Sequence, residues 1–183
     1  MVDLSRFNNT HFERGAPRWK EALWLLVSAL VFQHELAIWN APKIWLLRLF
    51  GAVVGAGVVL KPRVTIKFPW KLHIGDHVWI GEAVWVDNLA PVTIGSHTCL
   101  SQGAMLLTGN HDYTKPAFDL VVRPIQIEAG SWIGAKAVVC PGVVVRTCAV
   151  LTAGSVATHE LEAFGIYQGN PAALKSKRIF AKE

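Results

Sequence analysis

The most regular feature of the chain is an aliphatic residue that recurs every six positions through its middle. Fourteen aliphatic residues follow this spacing, with short insertions after the third and the sixth and a long gap after the ninth. They are Val54, Leu60, Ile66, Ile74, Ile80, Val86, Ile94, Leu100, Leu106, Ile127, Ile133, Val139, Val145 and Leu151. Strands of an ordinary sandwich would alternate at every second position instead. A fixed longer period is typical of stacked structural repeats.

A second set of small or β-branched residues lies four positions after the aliphatic ones and confirms the spacing. It comprises Val78, Val84, Thr98, Ala104, Ser131, Ala137, Val143, Ala149 and Ser155. Each six-residue unit then predicts one short strand and one turn, and three units make one coil of a triangular prism. Coils would stack about 4.8 Å apart, the usual distance between strands. The pattern predicts a mainly β protein built as a parallel β-helix, whose coils bury their apolar sides only by stacking.

The two ends of the chain lie outside this spacing and divide it into three parts. Residues 1–52 form an apolar amino-terminal segment, with helix predicted over 19–50 and a break at Asn40-Ala41-Pro42. Residues 53–168 form the β-helix, interrupted by a loop at 107–126. Residues 169–183 predict a turn at Gly169-Asn170-Pro171-Ala172 and then a short basic helix, since Gly and Pro mark turns.

Composition narrows the partners and the location. The chain has 183 residues, of which 52% are hydrophobic and 17% charged, and a net charge of +5. Positive charge attracts nucleic acid, an anionic membrane face or a phosphorylated ligand such as coenzyme A. No block of Lys and Arg stands out, so no nucleic-acid partner is expected. An odd number of cysteines (Cys99, Cys140 and Cys148) without metal spacing favours a reducing compartment and a packing role for all three.

One apolar stretch raises the question of a membrane. Residues 23–32 are apolar apart from Ser28, but Glu21 and the polar residues 33–35 bound the stretch. A membrane span takes about 20 apolar residues, so this one is too short. A helix buried against the protein and a helix lying on a membrane surface both remain open. No signal peptide is visible, and we expect a cytoplasmic protein with any membrane contact at the inner face.

The loop at 107–126 holds the candidate for a catalytic group. Residues 108–113 read Thr-Gly-Asn-His-Asp-Tyr, and a polar loop that leaves a regular scaffold is a common place for a site. An isolated histidine is more often structural, but His111 lies inside the long interruption of the repeat. Imidazole titrates near neutral pH and is therefore a suitable general base. The neighbouring Asp112 either orients this histidine or caps a turn.

These motifs resemble a known family. The six-residue repeat, the loop around His111, residues 130–135 (Gly-Ser-Trp-Ile-Gly-Ala) and the turn at 169–172 are similar to the maltose, galactoside and serine acetyltransferase superfamily. The similarity is closest to the colanic acid biosynthesis acetyltransferases and then includes residues 7–9, 15–17, 61–62 and 69–72. The resemblance implies a left-handed β-helix, acetyl-CoA as cosubstrate without a metal, and a homotrimer with active sites between subunits. It also implies that His111 activates a sugar hydroxyl.

The same resemblance implies roles for further residues. The acceptor-binding acid of the family lies in a stretch like Val86-Asp87-Asn88, which leaves open whether Asp87 or Asn88 contacts the sugar or the pair forms a plain corner turn. Glu82 and Asn110 are further candidates for acceptor contacts. Contacts to the cofactor would come from Trp132, Gly134, Ala135, Ala153, Gly154 and Thr158, with Lys175, Lys177 or Arg178 meeting its phosphates. The family often places a lysine after the threonine, whereas this chain has His159.

Other functions stay open from the sequence. The acceptor could be an amino-sugar nitrogen or an antibiotic such as chloramphenicol. A γ-type carbonic anhydrase shares the prism but needs three histidines on zinc. His73, His77 and His97 lie close enough along the repeat to be considered, but the loop has no second histidine. A non-catalytic scaffold or membrane-attachment module is a further alternative.

Overall fold

A computed structural model, which describes residues 1–36 and 38–181, shows a parallel β-helix with a helical segment at its amino end. All fourteen aliphatic residues of the six-residue spacing are buried, none more than 7% exposed. The small residues of the second set are buried as well. The predicted prism and the inward direction of its aliphatic positions are confirmed.

The strands are numbered in chain order. They are β1 (Val53–Val54), β2 (Val59–Leu60), β3 (Thr65–Ile66), β4 (Leu72–Ile74), β5 (Trp79–Ile80), β6 (Trp85–Asp87), β7 (Val92–Ile94), β8 (Cys99–Leu100), β9 (Met105–Leu107), β10 (Gly109–His111), β11 (Leu120–Val122), β12 (Ile125–Ile127), β13 (Trp132–Ile133), β14 (Val138–Val139), β15 (Val144–Val145), β16 (Val150–Leu151), β17 (Val156–Ala157), β18 (Gly165–Gly169) and β19 (Ala172–Lys177).

Three sheets, parallel throughout except for the last strand β19, form the faces of the prism in the described part of the chain. The first sheet runs β1-β4-β7-β12-β15, the second runs β2-β5-β8-β13-β16-β18-β19, and the third runs β3-β6-β9-β14-β17. Register is kept from coil to coil, as Leu60 pairs with Ile80 and Ile80 with Leu100. The chain therefore turns at three edges, which we call first-to-second, second-to-third and third-to-first after the sheets they join.

Helices close the amino end of the prism. They are α1 (Arg18–Val27), which continues as a π-helical turn over Ser28–Phe32, and α2 (Asn40–Leu49), with 3₁₀ turns at Leu4–Arg6 and Pro69–Lys71. The Trp24 indole donates a hydrogen bond to the Ile66 carbonyl at 2.7 Å, and its ring packs 5.1 Å from the Phe32 ring. Buried Lys43 donates to the Leu60 carbonyl. The helices thus satisfy backbone groups that the first coil would otherwise leave unpaired.

The predicted helix break at residues 40–42 is wrong in position, because α2 begins at Asn40. The Asn40 side chain accepts from the Leu60 amide at 2.7 Å and donates to the Val58 carbonyl at 2.6 Å, which ties the helix start to the prism. Pro42 lies in the first helical turn, where its missing N–H costs no intrahelical bond. No helix among the residues described is long and apolar enough to cross a membrane.

The predicted carboxy-terminal helix is also wrong. Residues 172–177 form strand β19, which pairs antiparallel with β18 through the predicted turn, as Gly169 lies opposite Ala172. The last strand of the second sheet would expose unpaired backbone groups, and the returning strand satisfies them. That tertiary demand outweighs the helical preference of the Ala-Ala-Leu-Lys segment.

Candidate active site

The loop predicted at residues 107–126 is a hairpin that leaves the third-to-first edge. Strands β10 and β11 pair antiparallel, with His111 opposite Leu120. Buried Thr108 fixes the hairpin at its base, because its hydroxyl donates to the Asp87 carbonyl at 2.8 Å and accepts from the Ala90 amide at 3.0 Å. The scaffold therefore holds His111 on a short, doubly anchored arm outside the prism.

The imidazole of His111 is held in a defined tautomer. Its Nδ1 lies 2.8 Å from the backbone carbonyl oxygen of Phe118. A carbonyl oxygen only accepts, so Nδ1 must carry the proton and donate it. In the neutral ring Nε2 is then unprotonated and has a lone pair to accept a proton. This is the state that a general base requires.

Aromatic rings contact this imidazole from the hairpin and from the amino-terminal segment. The Phe118 ring stacks on it at 4.3 Å between centroids with planes 7° apart. The Phe7 ring lies 5.7 Å away at 55°. The half-buried imidazole is therefore in contact with apolar groups where these two rings cover it.

The neighbours of His111 in the chain serve the local backbone. Asp112 accepts from the Thr114 amide at 3.1 Å and hydroxyl at 2.5 Å, and these hydrogen bonds lower the pKa of its carboxyl group. Of the two roles left open for Asp112, the structure shows the turn cap. The Asn110 side chain is exposed and accepts from the His111 amide at 2.8 Å.

The predicted acceptor residues Asp87, Asn88 and Glu82 differ in burial, in hydrogen-bond partners and in distance along the prism from the hairpin. Asp87 ends β6 one coil before the hairpin, and its carboxylate pairs with Lys67 at 3.1 Å. Asn88 is fully buried, and its amide accepts from the Phe68 N–H at 2.9 Å and donates to the Phe68 carbonyl at 2.6 Å. Contact between Asn88 and an acceptor does not fit this burial. Glu82 pairs with Arg63 at 2.7 Å on the second-to-third edge, away from the hairpin's edge.

The predicted cofactor residues gather on the second-to-third edge and beside it. Trp132 in β13 is 47% exposed on the outer face of the second sheet, and its indole donates to the Ser101 hydroxyl at 2.8 Å. The Gly154 amide donates to the Ala135 carbonyl at 2.8 Å on the neighbouring coil. A Cβ on Gly134 would lie 2.5 Å from the Ala153 nitrogen, whereas one on Gly154 would meet no atom within 4 Å. The backbones of neighbouring coils are therefore in close contact along this edge, whereas the space beside Gly154 is open.

The predicted phosphate contacts are dispersed. Thr158 lies on the third-to-first edge, with its hydroxyl 2.9 Å from Nδ1 of His159. Lys177 pairs with Glu162 at 3.0 Å, and Arg178 donates to the Gly130 carbonyl at 2.8 Å on the first-to-second edge. The Lys175 side chain is exposed on β19. Of the three basic residues, Lys175 is the one whose position leaves it most accessible to a ligand.

The predicted base and four of the predicted cofactor residues lie on different edges of one prism. His111 and Asp87 belong to the third-to-first edge, and Gly134, Ala135 and Gly154 to the second-to-third edge. The third sheet separates the two edges. A single chain therefore does not bring the predicted base together with the residues of the second-to-third edge, whereas Thr158 lies on the same edge as His111, two coils further along the prism.

A cavity beside the hairpin was not foreseen from the sequence. It has a volume of about 790 Å³ and is walled by residues 8–13, the third-to-first edge and the hairpin. Asn8, Asn9 and His11 line it on one side, and Asp112 and Leu120 on the other. The sequence feature that corresponds to this wall is the Phe7-Asn8-Asn9 stretch, which belongs to the family resemblance and by itself indicates no function.

The histidines considered for zinc lie elsewhere. His77 and His97 stack on the first-to-second edge with ring centroids 5.2 Å apart. Within residues 1–36 and 38–181, no three His, Cys, Asp or Glu side chains are grouped so that they could hold a metal ion. Burial raises the pKa of the Cys99 and Cys140 thiols, which disfavours the thiolate form needed for nucleophilic chemistry.

Comparisons with known proteins agree with the fold. A hexapeptide-repeat-containing acetyltransferase from Vibrio cholerae O1 biovar eltor, solved in complex with acetyl coenzyme A, superimposes with a TM-score of 0.80 at 24% identity, covering 89% of each chain. A galactoside acetyltransferase in complex with coenzyme A gives a TM-score of 0.76 at 21% identity, covering 87% of this chain and 81% of that one. The fold is that of the hexapeptide-repeat acetyltransferases.

Sequence comparison identifies the family more closely. No family model matches the chain. The "Putative colanic acid biosynthesis acetyltransferase WcaF" of Escherichia coli (strain K12) is 37% identical over 179 residues, 98% of each chain. Nodulation protein L of Rhizobium leguminosarum bv. viciae is 31% identical over 162 residues, 85% of each. The chain belongs to the acetyltransferase family that includes WcaF, which confirms the predicted family and enzyme class.

Proposed function

We propose that the chain transfers the acetyl group of acetyl-CoA to a sugar hydroxyl, with His111 as general base. The observation that carries this proposal is the hydrogen bond from Nδ1 to the Phe118 carbonyl, because it leaves Nε2 unprotonated.

The chemistry follows from that nitrogen. A sugar hydroxyl has a pKa far above neutral, so it needs a base as it attacks. Nε2 takes the hydroxyl proton while the oxygen forms a bond to the thioester carbonyl carbon. The carbon–sulfur bond then breaks, and the proton passes from the imidazolium to the leaving thiolate, which gives the acetyl ester and free coenzyme A. The Phe118 carbonyl stabilises the transient imidazolium, because Nδ1 keeps its donor bond throughout.

The donor is acetyl-CoA, bound along the second-to-third edge of a neighbouring chain in a homotrimer. Backbone at Gly134, Ala135, Ala153 and Gly154 allows close approach of its pantetheine arm, and exposed Trp132 covers the reacting end. Exposed Lys175 is the polar group proposed for its phosphates, whereas Thr158 lies on the third-to-first edge, apart from the other cofactor residues. Because the base lies on the third-to-first edge, a site between two chains unites residues that one chain keeps apart.

The acceptor lies between the hairpin and Asp87. Asp87 and exposed Asn110 offer hydrogen-bonding groups of the kind that hold sugar hydroxyls, and Glu82 would reach the acceptor only from the neighbouring chain. The name of WcaF supports an acceptor in colanic-acid-like exopolysaccharide synthesis.

The protein works in the cytoplasm with its amino-terminal helices at the inner membrane face. Trp19, Leu23, Leu26 and Leu30 are exposed at spacings that place them on one side of a helix. An outward apolar stripe with tryptophan suits the lipid interface. Binding to vesicles of anionic phospholipid, lost in a Leu26→Glu, Leu30→Glu variant that keeps its secondary structure, tests this contact; equal binding by the variant would refute it.

The function is tested by thiol release from acetyl-CoA across a panel of neutral sugars and amino sugars. His111→Ala should lower turnover at least about a hundredfold while the assembly stays folded, because general-base assistance is lost. His73→Ala, an exposed histidine on the first sheet, is the matched control and should keep full turnover. Faster release with amino sugars than with neutral ones would change the acceptor class. Unchanged turnover in His111→Ala would refute the role of this base.

A further inference from the structure

The amino-terminal segment lies against the hairpin that carries His111. The Asp3 amide donates to the Pro116 carbonyl in the hairpin turn at 2.8 Å. Four residues later the Phe7 ring lies 5.7 Å from the His111 imidazole. This contact joins two parts of the chain that are about a hundred positions apart in sequence.

The same segment is fixed to the prism on its other side. The Phe12 ring stacks on the Phe68 ring at 6.4 Å, and the Lys71 amine donates to the Glu13 carbonyl at 2.6 Å. The Trp70 indole donates to the Arg14 carbonyl at 2.7 Å. Phe7 therefore lies between an attachment to the hairpin and attachments to the prism body, so its ring is held and not merely adjacent.

The imidazole needs this second contact. One hydrogen bond at Nδ1 fixes the direction of that nitrogen, but it leaves the ring free to rock about the bond. Phe118 covers a ring face at 4.3 Å, and Phe7 adds a tilted contact from a different element. Together with the hydrogen bond, the two aromatic rings restrict where Nε2 points. Holding a catalytic group within a narrow range of geometry is a large part of its rate effect.

We infer that Phe7 is a positioning residue for His111 and that residues 3–14 are part of the active-site wall. The inference rests on the proposed role of His111 as the base. Phe7 touches neither donor nor acceptor in this account, so it acts on the rate of the chemical step and not on the affinity for acetyl-CoA. The tilted ring also shields the imidazole from solvent and from reagents.

The test compares Phe7→Ala, Phe7→Tyr and Trp45→Ala with the wild-type chain. Trp45→Ala is the control, because it removes an exposed aromatic ring on α2, which packs against β1 and β2 and not against the hairpin. The first readout is kcat and KM for acetyl-CoA with D-galactose as the acceptor probe. The second is the rate at which diethyl pyrocarbonate modifies His111, followed by peptide mass spectrometry, which needs no acceptor. Thermal melting checks that each variant is folded.

Phe7→Ala should lower kcat about tenfold with an unchanged KM for acetyl-CoA, since a misplaced catalytic group loses rate before affinity. It should also speed modification of His111 several-fold. Phe7→Tyr keeps the ring and should restore both values, and Trp45→Ala should leave both near wild type. Unchanged kcat and labelling in Phe7→Ala, or an equal loss in Trp45→Ala, would overturn the inference. If the wild-type chain turns over no acceptor, the proposed function fails, and the labelling rates alone decide whether Phe7 holds the ring.

Discussion

The Phe118 carbonyl sets the tautomer of His111, and the rings of Phe118 and Phe7 pack against its imidazole. Phe118 supplies both the carbonyl that accepts from Nδ1 and the stacked ring. Asp112, the nearest carboxylate in sequence, accepts from Thr114 instead. The tautomer is therefore set by the fold of the hairpin, and a substitution that loosens the hairpin affects the base without touching it.

Asp87 is the acidic group that we propose holds the acceptor. It lies one coil from the hairpin and is partly buried beside Lys67. Asp87→Asn should raise KM for the acceptor and lower kcat/KM about tenfold, because a hydrogen bond to a charged group contributes about 1.5–3 kcal/mol. The KM for acetyl-CoA should stay unchanged. Steady-state kinetics with Glu160→Gln as a surface control checks this, and a change confined to the KM for acetyl-CoA would place Asp87 on the donor side.

Single residues were the hardest scale to predict from the sequence. Asp87 and Asn88 look equivalent along the chain, yet the amide of Asn88 is consumed by the backbone of Phe68 on the previous coil. Nothing local distinguishes the two, because the partner lies 20 positions away. The contact between Phe7 and His111 could not be predicted for the same reason, since it depends on how the amino-terminal segment folds back onto the hairpin.

At the scale of elements, the prism depends on the fit between neighbouring coils. Gly134 shows this most clearly, since a Cβ there would lie 2.5 Å from the backbone nitrogen of Ala153. The proposed cofactor site and this close contact between coils therefore lie on the same edge.

Gly134→Ala should lower the free energy of unfolding by about 1–3 kcal/mol, because backbone on the next coil must move to make room. Gly81→Ala is a close companion, since its Cβ would lie 2.8 Å from the Gln102 nitrogen on the same edge. Urea unfolding followed by circular dichroism measures both. A Gly134→Ala chain as stable as wild type would show that the coils can relax apart at this edge.

The strands of the prism were predictable because each aliphatic position repeats at one spacing, and all fourteen are buried. The terminal elements were not, since each is a single short segment with no repeat to confirm it. Residues 172–177 have helical composition but complete a sheet edge beside β18. Asn40 starts α2 because its side chain binds the backbone of β2, a contact that composition does not reveal.

At the scale of the whole molecule, the proposed site exists only between chains. One prism places His111 and the open edge at Ala153 and Gly154 on different sides of its third sheet. Large exposed side chains on the sheet faces, among them Trp79 and Trp85, provide apolar surface for such an assembly. Each subunit would then contribute a base to one site and a cofactor edge to the next.

This arrangement can be tested with two variants that are each inactive alone. His111→Ala lacks the base, and Ala153→Trp fills the exposed cofactor edge with a bulky ring. Both are co-expressed with different affinity tags, and assemblies that contain both chains are isolated by two successive purifications. Separately purified and then mixed variants serve as the control.

In a cyclic trimer of either mixed composition, one site of the three joins an intact base to an intact edge. The measurement is acetyl-CoA turnover by the doubly purified assemblies, and the account predicts about a third of the wild-type value per trimer. Mixed assemblies as inactive as their parents would contradict it, because the base and the cofactor edge would then have to come from one chain.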